Sequence, residues 1–428
     1  EHVHVHNCAS SDELKDADAA RQDTSRVAER HVEAGPTRTF WGYRRSDGRV
    51  GIRNHVLILP TSICASDTTE RIARAVDGCV TFHNQNGCSQ VARDQQMTID
   101  TMAGLAANPN IASVLAVSLG CEGCQNGLVV EAIRERTDKP VRTLVIQQVG
   151  GSIKAVEEGT RIARELADEA SLERRVECPV SELIFGTNCG GSDATSGLAA
   201  NPVAGVVSDA VVAAGGTVML GETTELIGTE DLLAARAATP DVADDIYRIV
   251  CGLERSFAEA GVDVRGANPS PGNMAGGLST LEEKALGGIS KGGTSPIMEV
   301  VPYGARPGRR GLVIMDTPGY DIESVSGMTA GGAQVLIFTT GRGTPIGNPL
   351  IPVIKVTGNV ECAARMADNI DFDASGAVEG ASTIDELGSS LLELLERVCD
   401  GEQPAAERFG FNDFSIFHNQ EVWCTCLP

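Results

Sequence analysis

The sequence is poor in lysine and in aromatic residues, and this limits both its core and its binding partners. Lysine occurs at only six positions, so arginine supplies most of the positive charge. Phe, Trp and Tyr make up 4% of the chain, so the core must consist of Val, Ile, Leu and Ala. The 58 acidic residues outnumber the 35 basic ones, and the net charge of −23 excludes binding to nucleic acid or to an anionic membrane surface.

Long apolar runs and a disulfide pattern are also missing. No apolar run approaches the roughly 20 residues of a membrane span, and no signal-peptide pattern opens the chain. The 13 cysteines are odd in number and irregularly spaced. A chain of 428 residues builds a core without covalent cross-links, so we expect reduced thiols and a cytoplasmic protein.

Short apolar runs alternate with amphipathic stretches along most of the chain. Strands are predicted at 55–59, 112–118, 142–147, 182–186, 216–220, 311–315 and 334–339, and helices at 67–78, 151–170 and 382–401. This alternation predicts an α/β fold of parallel sheets covered by helices. The charged stretch 170–182 is the most plausible boundary between two such units.

Three loops that combine glycine and cysteine follow apolar runs or short strand candidates. They contain Cys88 in "FHNQNGCSQ", Cys121 in "SVLAVSLGCEG" and Cys189 in "ELIFGTNCGGSD". Ligands bind beyond the carboxyl ends of parallel strands, where such loops converge. In a further loop of this kind, Arg342 could bind a carboxylate with its planar guanidinium. The glycines around Arg342 do not have the dinucleotide-binding spacing, which argues against a nicotinamide cofactor.

The stretch 268–293 contains two of the six lysines, Lys284 and Lys291, among paired glycines. In a chain that otherwise uses arginine, these two positions suggest a role that requires an ammonium group. A desolvated lysine can act as a base, and a charged one can anchor an anion. The alternative is that both are ordinary surface lysines.

The chain resembles the altronate/galactarate dehydratase family of sugar-acid hydro-lyases. The matching stretches are "GYRRSDGRVGIRN", "NGCSQ", "LGCEG", "NCGGSDATSGLAANP", "NPSPGNMAGG", "EEKALGGISKGG", "FTTGRGTP" and "PVIKVTGN". The resemblance implies that residues 1–38 are a linker and the remnant of a small N-terminal β-clip domain. It implies a dimerisation domain over 39–178 and a catalytic, Rossmann-like domain over 179–428. A homodimer and a β-clip domain or subunit are the implied partners.

The resemblance also implies dependence on iron, with manganese as a substitute. Cys88, Cys121 and Cys189 could hold the iron by thiolates, as single ion or iron–sulfur cluster, and Cys64 also falls at a family-like position. Harder ligands are the first alternative, with candidates His83, Glu122, Asp193 and Glu222. The second alternative is that the thiols only pack as small apolar groups.

The implied reaction removes a proton from C2 and the hydroxyl from C3 of a 2,3-dihydroxy acid, which yields a 2-keto-3-deoxy acid. A bound metal would stabilise the enolate. We expect Lys284 or Lys291 to be the base and His83 the general acid. The predicted substrate-binding residues are Arg342, Gly343, Thr344, Asn201 and Asn273.

Two departures from the family pattern keep the substrate open. Met274 stands where family members carry lysine, and His83 lies one residue further from Cys88. The related sulfolactate sulfo-lyase large subunit, which eliminates sulfite to leave pyruvate, is therefore an alternative. A ligand-binding protein without catalysis and a nicotinamide oxidoreductase are the hypotheses from other classes.

Overall fold

The computed structural model describes residue 35 and residues 37–418, and these form an α/β structure. The predicted fold class is confirmed: both larger sheets are parallel and carry helices on their faces. The predicted linker and β-clip remnant, 1–38, lies almost entirely outside the described residues. The division into domains at residue 178 stays a prediction.

The strands of the described residues define three sheets. In chain order the strands are β1 Thr39–Arg44, β2 Val50–Gly51, β3 His55–Pro60, β4 Cys79–Val80, β5 Ile111–Ser118, β6 Val141–Val145, β7 Val176–Pro179, β8 Ile184–Cys189, β9 Thr217–Leu220, β10 Ile297–Val301, β11 Gly311–Met315, β12 Val335–Thr339, β13 Val353–Thr357 and β14 Phe372–Asp373. The first parallel sheet has the order β4-β3-β5-β6, the second has the order β10-β11-β9-β8-β12-β13-β14, and β2-β1-β7 form a small antiparallel sheet.

The helices connect these strands and cover the sheets. They are α1 Ile63–Arg74, α2 Ala92–Ala107, α3 Asn126–Arg134, α4 Ile146–Val149, α5 Ser152–Ala170, α6 Asn201–Ala213, α7 Glu230–Ala234, α8 Pro240–Glu259, α9 Val264–Ala267, α10 Pro271–Ala275, α11 Leu281–Ile289, α12 Asp321–Ala330, α13 Val360–Arg365, α14 Gly376–Glu379, α15 Ile384–Cys399 and α16 Ala405–Phe409. Short 3₁₀ turns at Val180–Glu182, Thr223–Glu225 and Ser290–Gly292 and a π-turn at Ser196–Ala200 complete the set.

Alternating side chains of β3 build two different cores. Val56 and Ile58 pack under α1 and α5 on one face, since successive strand residues point to opposite sides. Leu57 and Leu59 face α2 on the other side, in a core that continues to the second sheet. Gly104 allows α2 to pack closely against α12, because a Cβ at residue 104 would lie 2.6 Å from the Ala330 carbonyl oxygen.

The helical stretch Ser196–Ala213 is long and apolar enough to cross a membrane by composition alone, and 61% of it is buried inside the protein. Its apolar side chains, such as Val203 and Val207, belong to the core beneath the second sheet. Burial of this kind is what a core helix shows.

The second sheet changes direction between β8 and β12. After β8 the chain forms β9 beside it, then the edge strand β10, and then β11 between β9 and β10; it continues on the other side of β8 with β12, β13 and β14. Open parallel sheets bind ligands at the carboxyl ends of the two strands that flank such a reversal, because the connecting helices leave on opposite faces and open a crevice. The loops after Cys189 and Thr339 lie at this point.

Candidate active site

Two glycine-rich loops meet at the carboxyl ends of β8 and β12. The carbonyl of Gly191 accepts hydrogen bonds from the backbone N–H groups of Gly341 (3.2 Å) and Arg342 (3.0 Å). Gly191 has a φ of +60°, a left-handed conformation that glycine adopts without strain. The two loops are therefore joined by their backbones, which leaves their side chains free to form the walls of the crevice.

Beneath these loops lies a buried group of five ionisable side chains, named here the lysine–cysteine cluster: Cys189, Glu222, Glu225, Lys284 and Lys291. The Nζ atom of Lys291 lies 3.1 Å from the Cys189 sulfur and 2.8 Å from Glu222 Oε2. Lys284 Nζ lies 2.6 Å from Glu225 Oε1. Glu225 Oε2 in turn lies 3.3 Å from the Cys189 sulfur, so the five groups form one connected network.

The backbone positions Glu222 at some conformational cost. Its φ is +65°, a region that costs a non-glycine residue about 1–3 kcal/mol. Thr317 Oγ1 accepts a hydrogen bond from the Glu222 N–H (2.6 Å), and Glu222 Oε2 accepts one from the Cys189 N–H (2.9 Å). These contacts hold the carboxylate against Lys291 and the end of β8.

The lysine–cysteine cluster keeps its two ammonium groups charged. Burial opposes the charge of Lys291, but the carboxylates of Glu222 and Glu225 raise its pKa overall. The pKa of Lys284 is also raised, because Glu225 outweighs the effect of burial. Burial and the neighbouring carboxylates raise the pKa of the Cys189 thiol well above its ordinary value. We infer that Cys189 is a neutral thiol that donates to Glu225.

Asp321, at the start of α12, lies at the border of this network. Burial, together with the charges of Glu222 and Glu225, raises its pKa to about 8. One of its oxygens accepts a hydrogen bond from the Asn188 side chain at 3.3 Å. Asp321 is therefore a half-buried carboxyl group whose raised pKa favours the protonated form at neutral pH.

A cavity of about 240 Å³ opens onto the cluster. Cys189 and Lys284 line it together with Asp193 and Asn201, whereas Lys291 is only 1% exposed and lies behind Cys189. A larger cavity of about 700 Å³ shares Asp193 as a wall and is lined by two guanidinium groups, those of Arg342 and Arg365. The two cavities together offer cationic groups at both ends.

Two models of known protein families match this chain. Residues 180–422 match the model described as "D-galactarate/Altronate dehydratase, C-terminal", and residues 42–171 match "D-galactarate dehydratase/Altronate hydrolase, second domain". The chain belongs to the D-galactarate/altronate dehydratase family. Every residue of the lysine–cysteine cluster lies within the matched range of this dehydratase family's C-terminal model.

Individual relatives extend over most of the chain. Altronate dehydratase of Bacillus subtilis (strain 168) is 34% identical over 97% of this chain and 84% of its own length. The (2R)-sulfolactate sulfo-lyase subunit beta of Chromohalobacter salexigens is 38% identical over 89% of this chain and 97% of its own length. Galactarate dehydratase (L-threo-forming) of Escherichia coli (strain K12) is 35% identical over 89% of this chain and 76% of its own length.

The structure brings both predicted catalytic lysines of this dehydratase-family chain into one cluster. It does not bring His83 there: His83 lies beside the first sheet, half exposed, with Nε2 3.3 Å from Glu70. The three predicted thiolate ligands are also separated. Cys88 and Cys121 are exposed at the first sheet, whereas Cys189 is buried in the second.

The predicted hard ligands are likewise divided between the sheets. Glu122 fixes a loop of the first sheet, where its oxygens accept hydrogen bonds from Thr61 Oγ1 (2.7 Å) and the Gly120 N–H (2.6 Å). Asp193 fixes a loop of the second sheet through Thr195 (2.6 Å) and Asn359 (2.8 Å). Each carboxylate thus has a structural role.

Within the described residues, two groups of three ligand atoms lie within 4.8 Å of one another. The first is Cys189, Glu222 and Glu225, where two ammonium groups already balance the carboxylates, so a divalent ion does not fit without displacing a lysine. The second is the more exposed set Asp67, Glu70 and His83, whose oxygen and nitrogen donors suit iron or manganese.

The predicted substrate-binding residues have mixed placements. Arg342 lines the larger cavity, and its guanidinium donates to the Gly272 carbonyl at 2.8 Å. The N–H of Gly343 donates to Thr340 Oγ1 at 2.9 Å, so it is engaged within its own loop. Thr344 Oγ1 accepts from the Ile346 N–H at 3.3 Å.

The two predicted asparagines connect loops around the smaller cavity. Asn201 accepts from Thr339 Oγ1 (2.6 Å) and donates to the Gly287 carbonyl (3.0 Å). Asn273 donates to the Ser192 carbonyl (2.9 Å), and its side-chain oxygen accepts from the N–H of Ser270, the N-cap of α10, at 3.1 Å. Both amides position the walls of the cavity.

Glu225 and Asp321 are site residues that the sequence reasoning did not select. Each follows a strand of the second sheet, in "VMLGETTE" and "VIMDTPGYD". The position after a strand was therefore a usable signal, but acidic residues follow many strands in a chain with 58 of them. Only the fold distinguishes these two, because it places them next to the lysines.

Proposed function

We propose that this chain is a hydro-lyase that removes water from a 2,3-dihydroxy sugar acid of the altronate or galactarate type. The observation that carries the proposal is the buried pair Lys284–Glu225, which adjoins a cavity of about 240 Å³ beside Cys189. Family membership and the two dehydratase relatives support the substrate class.

The cavities suit an elongated, hydroxylated anion. A sugar acid has a carboxylate at the reacting end, and a diacid such as galactarate has a second one at the far end. We place the reacting carboxylate beside the Lys284 ammonium, which is only 10% exposed. The far end then points past Asp193 toward Arg342 and Arg365 in the larger cavity. A guanidinium binds a carboxylate through two parallel hydrogen bonds.

Lys284 and Glu225 act together as the base. Lys284 passes one proton to Glu225, and the neutral amine then takes the proton from C2, so that the pair holds one additional proton. The electron pair of the C2–H bond forms the enolate, whose negative charge lies beside the restored ammonium. The raised pKa of Lys284 opposes its first proton transfer to Glu225 and favours its return to the ammonium form beside the enolate.

The same pair supplies the proton for the leaving group. The C3–O bond breaks as the hydroxyl accepts the additional proton, and water departs. The enol that remains releases the proton of its C2 hydroxyl and takes up a proton at C3, which gives the 2-keto-3-deoxy acid. Asp321, protonated at neutral pH, is a second proton donor at the same network.

Lys291 positions the other groups. Its side chain is 1% exposed and does not line the cavity, so it does not touch substrate. Its ammonium holds Glu222 and the Cys189 sulfur in place. The general-acid role predicted for His83 has no support from this arrangement, since His83 pairs with Glu70 beside the first sheet.

Several properties implied by the resemblance remain predictions. They are the requirement for iron or manganese, the homodimer formed through residues 39–178, the β-clip domain or subunit, and the cytoplasmic location. The steps above use only groups of this chain.

Sulfolactate is the second candidate substrate. The sulfo-lyase subunit relative is 38% identical and is matched over 97% of its length. This similarity is the observation that favours sulfolactate as a substrate. The chemistry is parallel, because the same C2 proton leaves and sulfite replaces water as the leaving group.

One assay separates the candidates. The full chain, purified without oxygen and supplied with ferrous iron, is incubated with altronate, galactarate or sulfolactate, and 2-keto-3-deoxy acid, pyruvate and sulfite are measured. We expect 2-keto-3-deoxy acid from a sugar acid. Sulfite and pyruvate from sulfolactate alone would replace the proposal with its alternative. Binding of all three acids without turnover would indicate a non-catalytic protein.

A further inference from the structure

The Lys284 ammonium has a second hydrogen-bond acceptor, which lies outside the lysine–cysteine cluster. Its Nζ atom lies 3.1 Å from the side-chain oxygen of Asn268 and 2.6 Å from Glu225 Oε1. Asn268 stands between α9 and α10 and is not among the residues that line the smaller cavity. The contact therefore reaches the candidate base from outside the cavity.

The helices around Asn268 hold it against Lys284. Its backbone N–H donates to the Val264 carbonyl at 3.0 Å, at the end of α9. Arg265 of α9 forms an ion pair with Glu282 of α11, and Glu282 lies two residues before Lys284. The helices α9 and α11 are therefore linked independently of the contact between the Asn268 and Lys284 side chains.

Residues 269–278 connect Asn268 to the loops that form the crevice. Most of these residues are exposed, so polar contacts rather than a core fix this segment. Asn273 donates to a carbonyl of the loop after β8 at 2.9 Å, and Arg342 in the loop after β12 donates to the Gly272 carbonyl at 2.8 Å. The chain that follows Asn268 is thus fixed to both loops of the crevice.

The contact with Asn268 determines how the Lys284 ammonium is oriented. A lysine ammonium has three N–H groups and accepts no hydrogen bond. Glu225 and Asn268 each accept one N–H from Lys284, which leaves one N–H for the cavity that Lys284 lines. Because the N–H directions are tetrahedral, two fixed acceptors determine the direction of the third. Without Asn268 the ammonium would turn about its hydrogen bond to Glu225.

We propose that Asn268 is a positioning residue of the reaction, which orients the Nζ atom of Lys284 toward the substrate in the smaller cavity. The amide takes no proton and adds no charge to the site. It still accepts a hydrogen bond from Lys284 after Lys284 has passed a proton to Glu225, so the neutral amine also stays oriented. This inference rests on the proposed function, because it takes Lys284 as the base.

The first measurement is kcat and KM of the full chain, purified without oxygen and supplied with ferrous iron, on whichever of altronate, galactarate and sulfolactate the wild type converts. Asn268→Leu keeps the size of the side chain but removes the acceptor. We expect kcat to fall at least tenfold and KM to stay within threefold, because Asn268 does not line the cavity.

Two further variants separate positioning from a general structural effect. Asn268→Asp restores the acceptor, so its kcat should be at least fivefold above that of Asn268→Leu. The added negative charge raises the pKa of Lys284, so the pH profile of kcat should move toward higher pH. Asn412→Leu, at an exposed position, is the matched control and should change neither kcat nor KM.

A second measurement follows the Lys284 ammonium without turnover. Because the chain has only six lysines, protein with isotope-labelled lysine nitrogens gives few ammonium NMR signals, and Lys284→Met identifies the signal of Lys284. Asn268→Leu should move this signal and leave that of the exposed Lys154 in place.

The outcomes distinguish this inference from the proposed function. Wild-type turnover with an unchanged kcat in the folded Asn268→Leu variant would overturn the positioning role alone. An unmoved Lys284 signal in that variant would overturn the contact itself. No turnover by the wild type on any of the three acids would overturn the proposed function and with it the role of Asn268 in the reaction. Thermal unfolding shows that each variant is folded, and Asn268→Ala replaces a leucine variant that does not fold.

Discussion

The two parallel sheets present their loops at equivalent edges but with opposite chemistry. At the second sheet, the lysine–cysteine cluster is buried, and its two ammonium groups are paired with carboxylates. At the first sheet, three thiols are exposed and the carboxylate of Glu122 is used to hold a loop. Buried, paired charges suit proton transfer, since they are already oriented and desolvated. The three thiols of the first edge are open to solvent instead.

The largest difference in stability should come from the buried ion pairs. Glu222→Gln keeps the shape of the side chain but leaves the Lys291 ammonium buried without its charge partner. We expect a loss of about 3–5 kcal/mol in the free energy of unfolding, measured with urea. Glu70→Gln, which removes one partner of the solvent-exposed pair with Arg74, should cost less than about 1 kcal/mol. Equal losses would mean that solvent screens the Glu222–Lys291 pair as strongly as it screens the exposed Glu70–Arg74 pair.

The two edges should also respond to pH with opposite signs. The raised pKa of Asp321, about 8, means that the folded chain holds a proton that the unfolded chain has lost. This contribution is complete below about pH 4 and is lost as the pH rises through about 8. We expect it to change the free energy of unfolding by up to roughly 1.4 kcal/mol per pH unit in that window. Asp321→Asn should flatten the decline, whereas Asp245→Asn, at an exposed pair, should not.

Glu122 at the first edge gives the reverse behaviour. Burial opposes its ionisation, but hydrogen bonds from the Gly120 N–H and from Thr61 keep its pKa below the ordinary value. Its contribution is present at neutral pH and is lost as the pH falls through its folded-state pKa. Glu122→Gln should therefore reduce the acid sensitivity of unfolding. A decline toward high pH that depends on Glu122 would contradict the assignment.

A smaller effect should separate two glycines. Gly87→Ala places a methyl group against the Thr61 carbonyl in a left-handed conformation, so we expect a loss of about 1–3 kcal/mol. Gly48 has a φ of +84° with nothing near the added Cβ, so Gly48→Ala should cost only the conformational term, roughly 1 kcal/mol. Urea unfolding of both variants checks the difference. Equal costs would mean that the loops of the first edge are not closely packed.

The two edges also show how much of the fold and of the site could be predicted from the sequence. The apolar runs predicted most central strands within two residues, because a strand buried on both faces leaves a continuous apolar signature. β13 was missed because Lys355 interrupts its run, although that side chain is fully buried. The scarcity of lysine drew attention to Lys284 and Lys291, and the fold places both in one cluster, while their catalytic role stays a prediction.

The assignment of the cysteines required the fold. Cys88, Cys121 and Cys189 look alike in sequence, since each lies in a glycine-containing loop. Nothing in that local pattern says which sheet the preceding strand joins. Pairing between distant strands decides it: β8 pairs with β9 and β12, whereas β5 pairs with β3 and β6. Glu225 meets Lys284 because α11 packs against the turn after β9, which is another long-range contact that local sequence reasoning cannot supply.

The central claim is that Lys284 and Glu225 carry the proton as one unit, and the most direct measurement is the rate of water elimination by their variants. Lys284→Met and Glu225→Gln should each lower kcat by about 10²–10⁴-fold, and the double variant should lose little more than either single one. Lys154→Met, at an exposed position of α5, should retain wild-type turnover. Turnover by Lys284→Met above about a tenth of the wild-type rate, or additive losses in the double variant, would contradict the account.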